Sequence, residues 1–288
     1  MDRSIFAVIG GDARQIALAN MLAAEGITVY CSGFELSAQL LVGTASTDPV
    51  TAAMMADIVI LPLPPTRDGK TLNAPLSTYR IALEENFCAA LSGKEVFTGM
   101  ADRLRKSSPS FAPLNLIDYG EKEEFLQRNA QATAEGALAE IIANCPHTVS
   151  GSRILITGCG RIVSYLAPML RALGGNVTVA ARRTEDRAKI SALGMEALTF
   201  GRAARRAREF SVIVNTVPAP VLDARFIGEV QDDALLIELA SAPGGIDIEA
   251  CVKRNIRVIN APGLPGKYSP ITAAEIIKET VMSILEEG

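Results

Sequence analysis

The 288-residue chain has no tryptophan and a single histidine, His147, set in a Pro-His-Thr stretch that reads as a linker. One isolated histidine argues against a Ser-His-Asp triad and against a His-rich metal site. Acid–base chemistry then falls to carboxylates, Lys, Tyr or the substrate itself. Cysteine is scarce and scattered: Cys31, Cys88, Cys145, Cys159 and Cys251 are odd in number and never spaced as a CxxC pair. Neither a disulfide framework nor a zinc knuckle follows, and no metal is expected. An excess of positive charge is missing too, because 28 Lys and Arg stand against 32 Asp and Glu. Without a basic surplus or tail, neither nucleic acid nor an anionic membrane is an expected partner. The most apolar stretches, such as 56–65, fall short of the roughly 20 residues that span a bilayer. Asp2 and Arg3 lead straight into a strand-like run, unlike a secretory leader, so the expected location is cytoplasmic.

What is present is globular: 49% hydrophobic and 21% charged residues, with a length that suits about two domains. Strand and helix signals alternate. Ile5–Ile9 reads as a buried strand, Gly10-Gly11-Asp12 as a turn, and Ala13–Glu25 as a helix stopped by Gly26. Strands at Ile27–Tyr30, Asp57–Leu61, Val96-Phe97 and Leu114–Asp118 follow, with helices at Asp48–Ala56, Tyr79–Leu91 and Met100–Lys106. A proline-free helix, Glu121–Asn144, ends at Cys145-Pro146. The pattern then restarts with strand Arg153–Thr157, turn Gly158-Cys159-Gly160, helix Ile162–Leu173 and strand Val177–Ala181. Gly10 and Gly26, like Gly158 and Gly174, stand sixteen positions apart and bracket one helix, which suggests two related domains.

The expected fold class is therefore α/β: two Rossmann-like, doubly wound parallel-sheet domains facing a central cleft. Residues 1–145 form a substrate-side α/β domain ending in the long linker helix. Residues 146–288 form a dinucleotide-binding Rossmann domain, whose amphipathic C-terminal helix Ser269–Glu287 can return to the first domain.

The cofactor signal is the strand–turn–helix at 154–173. Gly158 makes the tight turn, and Gly160 lets the backbone, with Arg161 and Ile162, approach a pyrophosphate at the helix N-terminus. Val163 stands where the fingerprint has a third small residue. At the end of the next strand, Arg182, Arg183 and Thr184, with Arg187 one turn on, replace the acid of NAD binders. Guanidinium groups suit a 2′-phosphate, so the expected cofactor is NADP(H). The turns Asn215-Thr216-Val217-Pro218 and Ala240–Gly245 end two further buried strands, where the nicotinamide end should lie. Asn260–Lys267, rich in Pro and Gly, reads as a stiff loop beside them.

Together, Ile9-Gly10-Gly11-Asp12-Ala13-Arg14-Gln15, Asn215-Thr216-Val217-Pro218-Ala219, Leu239-Ala240-Ser241-Ala242-Pro243-Gly244-Gly245 and Pro262-Gly263-Leu264-Pro265-Gly266-Lys267 resemble the A subunit of dipicolinate synthase, over nearly the whole chain. Two positions depart, Val163 and Glu238, the latter where Asp is expected. The resemblance implies oxidation of 4-hydroxy-tetrahydrodipicolinate, or its dihydro form, to the aromatic diacid with NADP+. This reaction branches from lysine biosynthesis, and the family's setting is the mother cell during sporulation. It also implies a partner, the flavoprotein-like B subunit of dipicolinate synthase; a homo-oligomer is expected as well. A dicarboxylate substrate needs anion sites. Gly10, Gly11 and Arg14 are candidates in the first domain; Ser241, Gly244 and Lys267 are candidates in the second. Asp12 is the first candidate base, ahead of Glu238 and Lys267, with an N-cap as its competing role. Two other readings compete. One is a shikimate-dehydrogenase-like enzyme, although that family's Asn-Val-Thr-x-Pro-x-Lys stretch is absent; alanine dehydrogenases rely on a His this chain lacks. The other is a non-catalytic NADPH-binding scaffold subunit.

Overall fold

The structure, a computed structural model, describes residues 4–39 and 41–287, so Asp2 and Arg3 lie outside the described residues. It divides into two compact units, Met1–Asn129 with Ser269–Gly288, and Ala130–Tyr268. The first runs β1 (Phe6–Ile9), α1 (Ala13–Ala24), β2 (Val29–Ser32), β3 (Ala45–Ser46), α2 (Pro49–Met55), β4 (Ile58–Ile60), α3 (Glu85–Leu91), β5 (Glu95–Thr98), α4 (Ala101–Arg105), β6 (Leu116–Asp118) and the start of α5 (Glu123–Asn144). The second takes the rest of α5 and continues through β7 (Arg153–Thr157), α6 (Arg161–Ala172), β8 (Asn176–Ala180), α7 (Thr184–Ala192), β9 (Glu196–Leu198), α8 (Phe200–Arg205), β10 (Val212–Asn215), α9 (Ala224–Glu229), β11 (Leu235–Glu238), α10 (Ile248–Lys253), β12 (Arg257–Asn260) and α11 (Leu264–Tyr268). Helix α12 (Pro270–Glu287) belongs to the first unit.

The division falls inside α5 rather than at 145/146. The physical reason is burial: Ala134, Ala137 and Ile141 on the second half of α5 pack into the core of the second unit.

Each unit holds one six-stranded, all-parallel sheet, ordered β3-β2-β1-β4-β5-β6 in the first and β12-β11-β10-β7-β8-β9 in the second. Counted from its own first strand, each sheet has the order 3-2-1-4-5-6 of the doubly wound dinucleotide fold. The strands read as apolar runs because both faces are covered. In the first unit Ala7, Ile9 and Val59 face α2, α3 and α4. Phe6, Val8, Ile58 and Ile60 face the opposite side, with Ile16, Ala19 and Leu22 of α1 and Ala274, Ile277 and Val281 of α12. In the second unit Ile154, Ile156, Val212 and Val214 pack against Val163, Leu166, Ala167 and Leu170, a helical 3–4 spacing on α6. Leu155, Ile213 and Leu236 face Phe226 and Ile227 of α9.

The sixteen-residue glycine spacing has one structural cause in both units. Gly26 and Gly174 take φ of +84° and +82° just past twelve-residue helices, and their N–H groups donate to Ala23 O and Arg171 O at 3.0 and 2.8 Å. This is the left-handed helix end that glycine accepts at least cost.

Two expected elements differ. Of the helix expected over Tyr79–Leu91, only Glu85–Leu91 is helical. Residues up to Leu83 instead pair across the chain, with Leu72 N donating to Ile81 O (2.8 Å) and Leu83 N to Lys70 O (2.9 Å). The loop expected through Lys267 is helical from Leu264 to Tyr268. Buried Leu264 anchors it in the core of the second unit. Pro265 sits in the first turn, where proline's missing N–H has no helical partner to lose.

Ile277, 1% exposed in the α1–α12 face, tests this packing. Ile277→Ala is expected to lower the unfolding free energy by about 2–5 kcal/mol, read from urea denaturation.

Candidate functional site

Ligands of doubly wound sheets sit at the carboxyl ends of the strands, at the point where strand order reverses. In the second unit that point lies between β7 and β10. Gly158 follows β7 with φ +103°, and a Cβ there would stand 2.3 Å from Thr216 Oγ1. Only glycine fits. Gly160 is the N-cap of α6 and supplies no side-chain cap, and a Cβ on it would meet nothing within 4 Å. The start of α6, with exposed Arg161 and half-buried Ile162, is thus open to an anion. Val163 is accommodated: it is buried against the sheet instead of pushing the helix away.

Past β8, Arg182, Arg183 and Thr184 are exposed. Arg182 and Arg183 make no ion pair among the described residues. Arg187 acts within the fold instead. Its guanidinium donates to Ala181 O (3.0 Å), Arg182 O (2.6 Å) and Thr184 Oγ1 (3.0 Å), closing the β8–α7 turn.

The ends of β7, β10 and β11 are cross-linked. Thr157 Oγ1 donates to Asn215 Oδ1 at 2.5 Å, and Asn215 Nδ2 donates to Glu238 Oε1 at 2.7 Å and Val217 O at 2.9 Å. Thr216 Oγ1 donates to Thr157 O at 2.7 Å. Buried Glu238 also accepts from the backbone N–H groups of Ala240, Gly245 and Ile246. Pro218 and Ser241 are exposed, while Val217 and Ala240 are half-buried.

In the first unit the equivalent turn is filled from within. Asp12 caps α1 in a capping box: its side chain accepts from Arg14 N (3.1 Å), and Asp12 N donates to Gln15 Oε1 (3.0 Å). Arg14, 6% exposed, forks onto the same carboxylate through Nε (2.8 Å) and Nη2 (2.9 Å), and Nη2 also donates to Leu63 O (3.0 Å). Burial works to raise the Asp12 carboxyl, but the Arg14 guanidinium outweighs it and holds the group below its usual range. Burial likewise opposes the Arg14 charge, and Asp12 more than restores it. Gly10 and Gly11 adopt φ of +69° and +100°. A Cβ on Gly10 would meet Leu72 Cδ2 at 2.8 Å, and one on Gly11 would meet Gln15 Oε1 at 2.3 Å. The turn is packed, not open.

Lys267 donates to Glu140 Oε1 at 2.5 Å and lies 4.8 Å from the Tyr268 ring centroid. The hydrogen bond to Glu140 raises its ammonium pKa. Exposed His147 stands 3.6 Å from Asp233. Sequence reasoning missed Thr157, Gln15 and Glu140. Thr157 was within reach, as the residue before the glycine turn; nothing local marks Glu140 as the partner of a lysine 127 positions away.

Residues 5–119 match the family described as the N-terminal domain of the dipicolinate synthase A subunit. Residues 125–252 match the NAD binding domain of D-isomer specific 2-hydroxyacid dehydrogenases. The dipicolinate synthase A subunit of Bacillus subtilis (strain 168) is 27% identical over 284 residues, 98% of this chain and 95% of that protein. The crystal structure of the dipicolinate synthase A subunit from Bacillus halodurans matches with a TM-score of 0.88 at 28% identity, over 99% of this chain and 98% of that one. The corresponding crystal structure from Bacillus subtilis matches at 0.84 and 26%, over 100% and 97%. In sequence, domain order and fold, the chain resembles the A subunit of dipicolinate synthase along its whole length.

Proposed function

We propose that the chain is the NADP-dependent oxidoreductase subunit of a dipicolinate synthase, working with a second subunit in the cytoplasm of a sporulating cell. Its substrate on this reading is 4-hydroxy-tetrahydrodipicolinate or the dihydro form left by loss of water. Removing one hydride and one proton from the dihydro ring leaves the aromatic pyridine diacid. Supporting this are the A-subunit relatives and the dehydrogenase-type NAD binding domain. The relatives' designation as A subunits supports the existence of a partner.

One observation carries the cofactor assignment. Of two topologically equal βα turns, the one at Gly158–Gly160 is uncapped, while the one at Gly10–Asp12 already holds a carboxylate. A dinucleotide therefore belongs to the second unit, with its pyrophosphate at the start of α6 and a 2′-phosphate beside Arg182, Arg183 and Thr184. Bound there, the nicotinamide supplies the hydride acceptor.

The chain's own residues bind and orient. Arg187 holds the turn that carries Arg182 and Arg183. Asn215 and Glu238 fix the loops beyond β10 and β11. Among the residues expected to hold the substrate, Ser241 is exposed. Arg14 and Lys267 donate to Asp12, Leu63 and Glu140 instead. Asp12, Glu238 and Lys267 are all engaged, so the ring proton leaves without a strong protein base, driven by aromatisation.

Freshly generated substrate with NADP+, with and without the B subunit, is expected to give NADPH and dipicolinate in step. NADPH binding without product in either mixture would make the chain a scaffold subunit.

Arg182→Ala with Arg183→Ala is expected to weaken NADPH binding by about 10–100-fold. NADH binding should be left within a few-fold, as measured by calorimetry. Equal losses for both cofactors would remove the 2′-phosphate role.

Asp12→Asn leaves the buried Arg14 charge without its partner. The expected cost is about 1–3 kcal/mol of stability, between the values of buried and exposed pairs because Asp12 is partly exposed, with NADPH affinity unchanged. Because the folded Asp12 pKa is depressed, its contribution is full above the ordinary carboxyl range and is lost as pH falls through the lowered value. The variant should lack that part of the acid-side decline in a denaturation series. A variant equally stable but inactive would instead make Asp12 the base.

A further inference from the structure

We propose that Glu238 is the positioning residue of the nicotinamide half of the site, acting through the two loops that follow β10 and β11. The inference rests on the cofactor assignment above and deepens it.

Glu238 ends β11 at 6% exposure, beside Asn215 at the end of β10. Its Oε1 accepts from Asn215 Nδ2 (2.7 Å) and Ala240 N (2.9 Å). Its Oε2 accepts from Gly245 N (2.7 Å) and Ile246 N (3.0 Å). Four N–H donors thus converge on one side chain, two on each oxygen. Only an acceptor-only group matches that set. The same bond fixes Asn215: with Nδ2 turned to Glu238, its Oδ1 faces Thr157 Oγ1 (2.5 Å) and Val217 N (3.1 Å). One buried carboxylate therefore sets the amide orientation of Asn215, the path of 215–217 and the path of 240–246.

The glycines of Pro243-Gly244-Gly245 follow from the same demand. Gly244 has φ +81°, and a Cβ there would lie 3.0 Å from Glu238 Oε2. A Cβ on Gly245 would come within 2.5 Å of Ala219 O and 2.6 Å of both Asn215 Nδ2 and Val217 O. The loop can close onto the carboxylate only without side chains at both places.

In the sheet, β8 lies on one side of β7 and β10 with β11 on the other. The β8 side takes the adenosine ribose, so the β10–β11 loops flank the nicotinamide half. Glu238→Gln keeps the volume but turns an NH2 toward two N–H donors, whichever way the amide sits. The loops then lose one anchor while the Gly158–Gly160 turn and the Arg182–Arg183 cluster keep theirs.

The test compares two ligands on the full-length chain by calorimetry: NADPH, and 2′,5′-ADP, which carries only the adenosine half. Glu238→Gln is expected to bind 2′,5′-ADP within about twofold of wild type and NADPH about tenfold or more weakly. Thr157→Val, which removes only the hydroxyl that faces Asn215, should show the same split to a smaller degree and guards against a misfolded Glu238 variant. Parallel losses of both ligands would reduce Glu238 to a general structural role and overturn the proposal. Unchanged binding of both in each variant would overturn it as well, leaving the cofactor assignment standing. A wild-type chain that binds neither ligand would overturn the cofactor assignment, and this inference with it.

Discussion

An α-helix begins with N–H groups that its own residues cannot satisfy, and they attract negative charge. Both units of this chain aim such a helix start at the reversal point of a parallel sheet, so both must answer the same electrostatic demand. The first answers with its own carboxylate. Asp12 caps α1, Gln15 closes the box, and Arg14 balances the charge in a nearly buried fork. The second places Gly160 at that position and contributes no side chain. Once that difference is in place, the division of labour between two equal topologies follows. A turn already holding a carboxylate has no need of a phosphate, while an uncapped glycine turn favours one. Fold alone would not have separated them.

The two sides of the second unit's site rest on different physics. On the proposed reading, the β8-side determinants are exposed guanidinium groups, which act through charge and are weakened by salt. On the β10–β11 side they are buried hydrogen bonds among Thr157, Asn215 and Glu238, which act through geometry and are shielded from solvent. Hydride transfer depends on close alignment, and on the proposed reading the buried side supplies it.

The sheet architecture was legible because strands covered on both faces must be apolar throughout: Phe6–Ile9 and Val212–Asn215 are buried at every position. The glycine turns were legible because positive φ leaves few alternatives. Roles set by which partners a side chain finds in the folded chain were not. Glu238 reads as a candidate base until four donors from two loops are seen around it. Arg14 reads as an anion binder until its neighbour two residues earlier is found to hold it. The helix expected from Tyr79 failed for a related reason: Ile81 and Leu83 are buried by pairing their backbone with Leu72 and Lys70, residues that lie outside the expected helix. In each case local pattern named the residue correctly and tertiary structure decided what it does.

On the proposed reading, the engagement of Asp12, Glu238 and Lys267 fits the reaction. An enzyme that must pull a proton from a reluctant carbon needs a free base of suitable pKa within reach. Here the single histidine is exposed beside Asp233, Asp12 is held below the ordinary carboxyl range, and Lys267 is held above the ordinary amine value by Glu140. A dihydropyridine-type substrate carries its own driving force, since loss of hydride creates an aromatic ring whose remaining proton departs readily to water. The demands left to the protein are then anion recognition and alignment. Those are the two properties in which this chain is rich, with an open helix start and paired arginines for the first and a fully donated buried carboxylate for the second.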